Sequence, residues 1–143
     1  MKKLFPLYIL LPLLLMACRI QEEPAAELPD YKPSKDDIVS MHGDIENLER
    51  FLSFITNIHQ GSEDTIRVVS YTEEGAPILH ELEYDGQVIH SILDTRRDGF
   101  GQRMIKEREC KSVDIEKGEE RTNYALTDCG WNKDDYSILT IHK

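Results

Sequence analysis

The residues able to do chemistry are few and spread along the chain. Asp94-Thr95-Arg96-Arg97-Asp98-Gly99-Phe100-Gly101 places two carboxylates and two guanidinium groups around a glycine-rich turn. A calcium loop needs carboxylates at alternate positions and a distal glutamate, which this stretch lacks, and its two arginines oppose a bound cation. Read for the opposite charge, Arg96 and Arg97 suit a carboxylate or phosphate, with Asp94, Asp98 and Phe100 completing a ligand-contact loop. A plain hairpin connection is the competing reading. Five histidines are present. His42 precedes a helix, His59 lies in its last turn, where the macrodipole favours a cation, and His142 is next to the C-terminus. His80 and His90 fall on neighbouring strands but opposite faces, so they cannot share one ion. Glu81 facing His90 reads as a cross-strand charge pair before it reads as a ligand set. There is no Gly-x-Ser-x-Gly elbow, no His-Glu-x-x-His helix and no glycine fingerprint after a strand. No catalytic residue, metal or cofactor is assigned on these patterns.

The first eighteen residues carry an address. Lys2 and Lys3 precede an apolar run from Leu4 to Met16 that ends in Leu15-Met16-Ala17-Cys18. A charged start, a short hydrophobic stretch and a small residue before the cut site make an export signal. The run is shorter than the roughly 20 residues of a membrane span. The tetrapeptide resembles the lipobox of bacterial lipoproteins, with Met16 bulkier than is usual there. That resemblance implies cleavage before Cys18 and a diacylglyceryl group on its sulfur. An uncleaved anchor and ordinary secretion with a free Cys18 thiol are the alternatives. Residues 1–17 are thus assigned as signal peptide and 18–35 as lipidated cysteine plus tether. Residues 36–143 are assigned as one domain. Pro24, Pro29 and Pro33 among five carboxylates and amides leave the tether too little apolar surface to fold. Extended at roughly 3.1 Å per residue, it would hold the domain up to ~50 Å from the bilayer. Losing Lys2 and Lys3 takes the formal charge of −10 two units lower. Such a balance repels nucleic acid and anionic headgroups, so membrane association is expected from the lipid.

From Asp44 to Gly61 the residues Leu48, Phe51, Leu52, Ile55 and Ile58 recur at helical intervals. Asp44 is placed to cap that helix and Gly61 to end it, with Glu46, Glu49, Arg50, Asn57 and Gln60 on the solvent face. Beyond Gly61 the pattern becomes that of strands. Thr65–Thr72 is rich in β-branched residues, and Ile78–Tyr84 and Gln87–Leu93 flank Asp85-Gly86, a favoured two-residue hairpin turn. That turn would set Tyr84 against Gln87, Leu82 against Ile89, Ile78 against Leu93 and Glu81 against His90. Met104–Ile115 and Thr122–Asp128 read as two strands around Lys117-Gly118-Glu119-Glu120, and Tyr136–His142 as a last one. The expected fold is α+β, an N-terminal amphipathic helix packed on an antiparallel sheet of about six strands.

With Cys18 lipidated, Cys110 and Cys129 admit one pairing, and an exported domain meets an oxidising compartment. Closing that loop would contribute roughly 3 kcal/mol. Directly opposed cysteines would set Glu119 across from Glu120 in a loop of about four residues. Two buried free thiols are the alternative.

Gly43–Phe51, Ile66–Ile78 and Leu82–Gly86, with the Asp98–Gly101 turn and the two late cysteines, resemble a domain-of-unknown-function family of small lipoproteins from spore-forming Gram-positive bacteria. The resemblance covers Tyr31 to Lys143. It implies the outer face of the cytoplasmic membrane and carries no activity or catalytic residues. The expected function is a non-catalytic, membrane-anchored envelope module that binds a protein or small ligand and no nucleic acid. Its sign would be an exposed aromatic patch around Tyr71, Phe100 or Trp131. An enzyme with an unrecognised, hydrolase-like site is the rival. Its sign would be a deep pocket where His80, Tyr84, Ser91 or a carboxylate converge. Loose cation buffering by the acidic surface is a third and weaker reading.

Overall fold

The computed structural model describes residues 28–130 and 136–143. The expected signal peptide, Cys18, the first part of the expected tether and Trp131 lie outside the described residues. Strands β1 (Ile38–Met41) and β2 (Asp44–Glu46) form a short hairpin through His42-Gly43, both with positive φ as a tight two-residue turn requires. Helix α1 (Leu48–Gln60) then crosses to β3 (Asp64–Tyr71), which lies beside β1 and parallel to it. Strands β4 (Pro77–Tyr84), β5 (Ile89–Asp94) and β6 (Ile105–Cys110) add antiparallel neighbours, giving a six-stranded sheet in the order β2-β1-β3-β4-β5-β6. Lys111 turns the chain out of it. Strands β7 (Ser112–Lys117), β8 (Arg121–Thr127) and β9 (Tyr136–His142) make a second, antiparallel sheet of three.

Four expectations are corrected. The helix is not N-terminal: Asp44 belongs to β2, and the helix starts after Asn47, a left-handed residue whose amide donates to the Lys35 and Asp37 carbonyls (2.7 and 2.8 Å). That bond set ties the helix entrance to the segment before β1 and leaves no role for Asp44 as a cap. Gly61 does end the helix, with φ 69° and its amide donated to Ile58. The buried stripe is Phe51, Phe54 and Ile55, flanked by half-buried Leu48 and Ile58, whereas Leu52 is 40% exposed. Arg50 and Asn57 are not a solvent face. They grip the Asp64 carboxylate from two sides and fasten the helix to the start of β3.

The third correction concerns the β4–β5 register. Tyr84 faces Ile89, Leu82 faces Ser91, Glu83 faces His90 and Glu81 faces Ile92. Gly86-Gln87, not Asp85-Gly86, form the turn centre, because the Asp85 side chain accepts the Gln87 and Val88 amides at 2.8 Å while its own amide donates to the Val88 carbonyl. Only Gly86 of the two has positive φ. The ladder therefore slips by two residues, which preserves every side chain's face. Tyr84 and Ile89 end up paired and buried.

Fourth, the single strand expected over Met104–Ile115 is two strands in two sheets, so the sheet count and strand number both rise. The register of the second hairpin agrees with the sequence reading: Ser112 faces Thr127, Lys117 faces Thr122, and Gly118–Arg121 is the loop. Cys110 and Cys129 are joined as a disulfide, with Cα atoms 4.0 Å apart, at the point where the chain leaves one sheet for the other. Both sheets and the helix share one core. Phe51 meets Tyr124 edge-on at 5.0 Å, and Arg108 of β6 stacks on the Tyr136 ring of β9 at 3.5 Å.

Candidate functional site

The other face of the six-stranded sheet carries Val39, Val69 and Leu79, which are covered by Tyr31 and Tyr71 rather than by a helix. Tyr31 falls in the stretch assigned to the tether. Its hydroxyl donates to Asp37 (2.5 Å) and accepts from Arg67 (3.0 Å), and Arg67 in turn donates to Glu81. Burial opposes ionisation of Asp37, but hydrogen bonds from Tyr31 and Ser34 and the charge of Arg67 outweigh it and hold the carboxyl below its ordinary range. Burial and the hydrogen bond to Asp37 push the Tyr31 phenol up. The Leu28–Lys35 part of the expected spacer is thus fastened to the sheet through Tyr31.

That fastening makes one wall of a cleft of about 930 Å³. The second wall is the β3–β4 turn at Glu74–Pro77, and the third is the β5–β6 loop, residues 95–104. The loop builds itself from local bonds. Thr95 and Met104 close its base through their backbones at 2.9 Å, and the Thr95 hydroxyl donates to the Gln102 carbonyl. Asp94 accepts from Arg96 side chain and backbone, bonds that hold its carboxyl below the ordinary range despite partial burial. Asp98 accepts the Phe100 amide at 2.9 Å and packs so tightly on Gly101 that a Cβ there would strike its carboxylate. Arg97 donates to the Pro29 carbonyl at 3.2 Å, and its guanidinium lies 5.7 Å from the centre of the Tyr31 ring.

Of the five loop residues singled out from sequence, Arg96, Arg97 and Phe100 line the cleft. Asp94 neutralises the first two from behind, and Asp98 shapes the tip. The loop is therefore the β5–β6 connection and a cleft wall at once. Sequence reasoning missed Lys32, Arg103 and Leu28, which join them at the mouth. Four cations face two lining carboxylates, Asp30 and Glu74, in a chain whose total charge is −10. Tyr71 also lines this cleft, and Phe100 is 83% exposed at its rim. The local arrangement offers guanidinium and ammonium donors beside apolar surface, the chemistry of an anionic group attached to something hydrophobic.

The rival constellation does converge in part. His80 Nε2 and Ser91 Oγ are 2.8 Å apart, on the inner face as the pairing of strands requires. Both side chains are buried, Ser91 at 1% exposure, and their cross-strand neighbours are Val68, Leu82, Leu93 and Arg108. Desolvation, with a smaller push from Arg108, lowers the His80 pKa to about 4, so the imidazole is neutral at pH 7. A serine nucleophile must reach a substrate carbonyl, and this one is walled in. The pair satisfies two buried polar groups in the core. His90 is on the opposite face, 3.3 Å from Asp85 and 3.5 Å from Glu109. The expected Glu81–His90 pair does not form. Glu81 serves Arg67 instead.

Fold and cleft together describe a small α+β domain with a mixed sheet, capped on one face by a helix and a second sheet and grooved on the other. Residues 35–125 match the family of the domain of unknown function DUF4362, and the chain belongs to that family. The match includes the 95–104 loop and Cys110 but stops short of β9, and it begins after Lys32, so part of the cleft's first wall lies outside it. Comparison with curated proteins and with solved structures finds no match.

Proposed function

We propose that this chain is a lipid-anchored, non-catalytic binding module of the bacterial cell envelope, held to the membrane through Cys18 and binding through the cleft between Leu28–Lys32 and the 95–104 loop. The observation that carries the binding assignment is the cleft itself: four cations and an exposed phenyl ring gathered at one mouth of an otherwise acidic domain. Loops carry ligand contacts more often than sheet faces do, and this one is held rigid by its own hydrogen bonds. The tripartite leader ending in Leu15-Met16-Ala17-Cys18 supports the anchor.

A photo-crosslinking residue at position 100, compared with one at Leu52 on the exposed edge of the helix, tests the binding surface in intact cells. The expected result is a defined adduct at position 100, whether to protein, lipid or small molecule, and none at position 52. Equal, non-specific labelling at both positions would remove the cleft from consideration. Fractionation of Cys18→Ala tests the anchor separately.

A further inference from the structure

We propose that the cleft's partner is the phosphate layer of the anionic bilayer that holds the chain, and that the domain docks on it with Phe100 and Leu28 inward. The proposal rests on the anchored-module reading and names the partner of the same site. Phe100 is 83% exposed at the tip of a turn, between two glycines, and Leu28 is exposed at the same mouth. Apolar side chains beside cations are the pattern of a surface that sinks into the headgroup boundary. Lys32 and Arg103 complete that pattern. Neither forms an ion pair among the described residues, so both are available to phosphate oxygens.

Chain direction supplies the third argument. The described chain begins at Leu28, on the cleft wall, and Cys18 lies ten residues upstream, a reach of at most about 35 Å. The segment that leads to Cys18 therefore joins the described domain at the cleft wall. The net charge of −10 counts carboxylates over the whole surface, whose repulsion is screened beyond a Debye length of about 8 Å; at the mouth itself Lys32, Arg96, Arg97 and Arg103 outnumber Asp30, Glu74 and Asp94 by one charge. So small an excess of positive charge and one ring hold too weakly from solution. Tethering raises the effective concentration to the millimolar range, where a weak contact sets orientation. The lipid attaches the domain, and the cleft mouth turns it.

The test uses the chain from Cys18 onward, coupled through the Cys18 sulfur to a maleimide-bearing lipid, so that its outcome is independent of lipidation in the cell. Hydrogen exchange is followed on phosphatidylcholine vesicles with and without a one-third share of phosphatidylglycerol. The expected result is roughly tenfold slower exchange at the 98–101 amides on the anionic vesicles only. High salt should reverse it, as should Phe100→Ser, and as should Lys32→Glu combined with Arg103→Glu. Exchange independent of vesicle composition overturns the proposal. Equal protection on neutral vesicles after adding soluble glycerophosphate also overturns it, because the site would then take a free phosphate ester.

Discussion

His80 is buried beside Ser91 and accepts a proton only at the cost of desolvating a charge. Its folded pKa of about 4 lies below the ordinary 6.5. The stability this neutral imidazole supports is therefore complete above pH 6.5 and lost as the pH falls from there through about 4. The loss is on the order of 3 kcal/mol. Chemical denaturation across that range should show the decline, and His80→Leu should flatten it; an unchanged slope in the variant would reassign the effect. Asp37 and Asp64, whose pKa values are lowered, contribute in a separate, more acidic window as their carboxyls protonate. Gly86 is a second single-residue determinant. Its φ of 93° disfavours any side chain, and a Cβ would touch the Gly61 carbonyl at 3.4 Å. Gly86→Val should cost about 1–2 kcal/mol by the same measurement.

At the scale of elements, the phase of α1 and the disulfide are the decisive features. Phe54→Ala should destabilise by about 3–5 kcal/mol, and Leu52→Ala by less than about 1, because only Phe54 empties space between helix and sheet. Similar losses from both would mean the helix is rotated. The bond between Cys110 and Cys129 clamps β6 to the end of β8 where the chain changes sheets. Cys110→Ser with Cys129→Ser should lower stability by roughly 3 kcal/mol, read as a shift in denaturant midpoint. Native protein with two alkylatable thiols would remove the bridge altogether. Helix period and the strand run after Gly61 were legible from residue pattern alone, and the register of the second hairpin followed once Cys110 and Cys129 were set opposite each other. The first hairpin was not, because β1 and β2 are too short to show an alternation and Asp44 mimics a helix cap. The β4–β5 slip was not legible either. Asp85-Gly86 is a good turn pair, and only the bonds from the Asp85 carboxylate to two later amides move the turn by one residue.

For the whole molecule, the leader makes the sharpest prediction. Cys18→Ala should release the protein from the membrane fraction or leave an uncleaved precursor, as judged by fractionation and mass. Unchanged processing with membrane retention would refute the anchor. The cleft sets a further expectation. Tyr31→Phe removes the hydroxyl between Asp37 and Arg67 and should loosen the Leu28–Lys32 wall, read as faster exchange there, while the core stays intact. Net charge misleads at this scale, since it hides three arginines on one loop that tertiary structure joins to Lys32.

By itself the sequence determined the amphipathic helix, the strand-rich second half and the loop at Asp94–Gly101, because each is written in local period, charge or composition, and it named Cys110 and Cys129 as the candidate pair. Tertiary structure alone decided that β1 runs parallel to β3 and that the strand after Met104 divides between two sheets. It also buried Ser91 with His80 and brought Leu28 and Lys32 to the same cleft as Arg96, Arg97, Phe100 and Arg103. Those outcomes depend on contacts between residues distant in the chain. No local pattern encodes them, because side chains some seventy positions apart meet only when the sheet has formed between them.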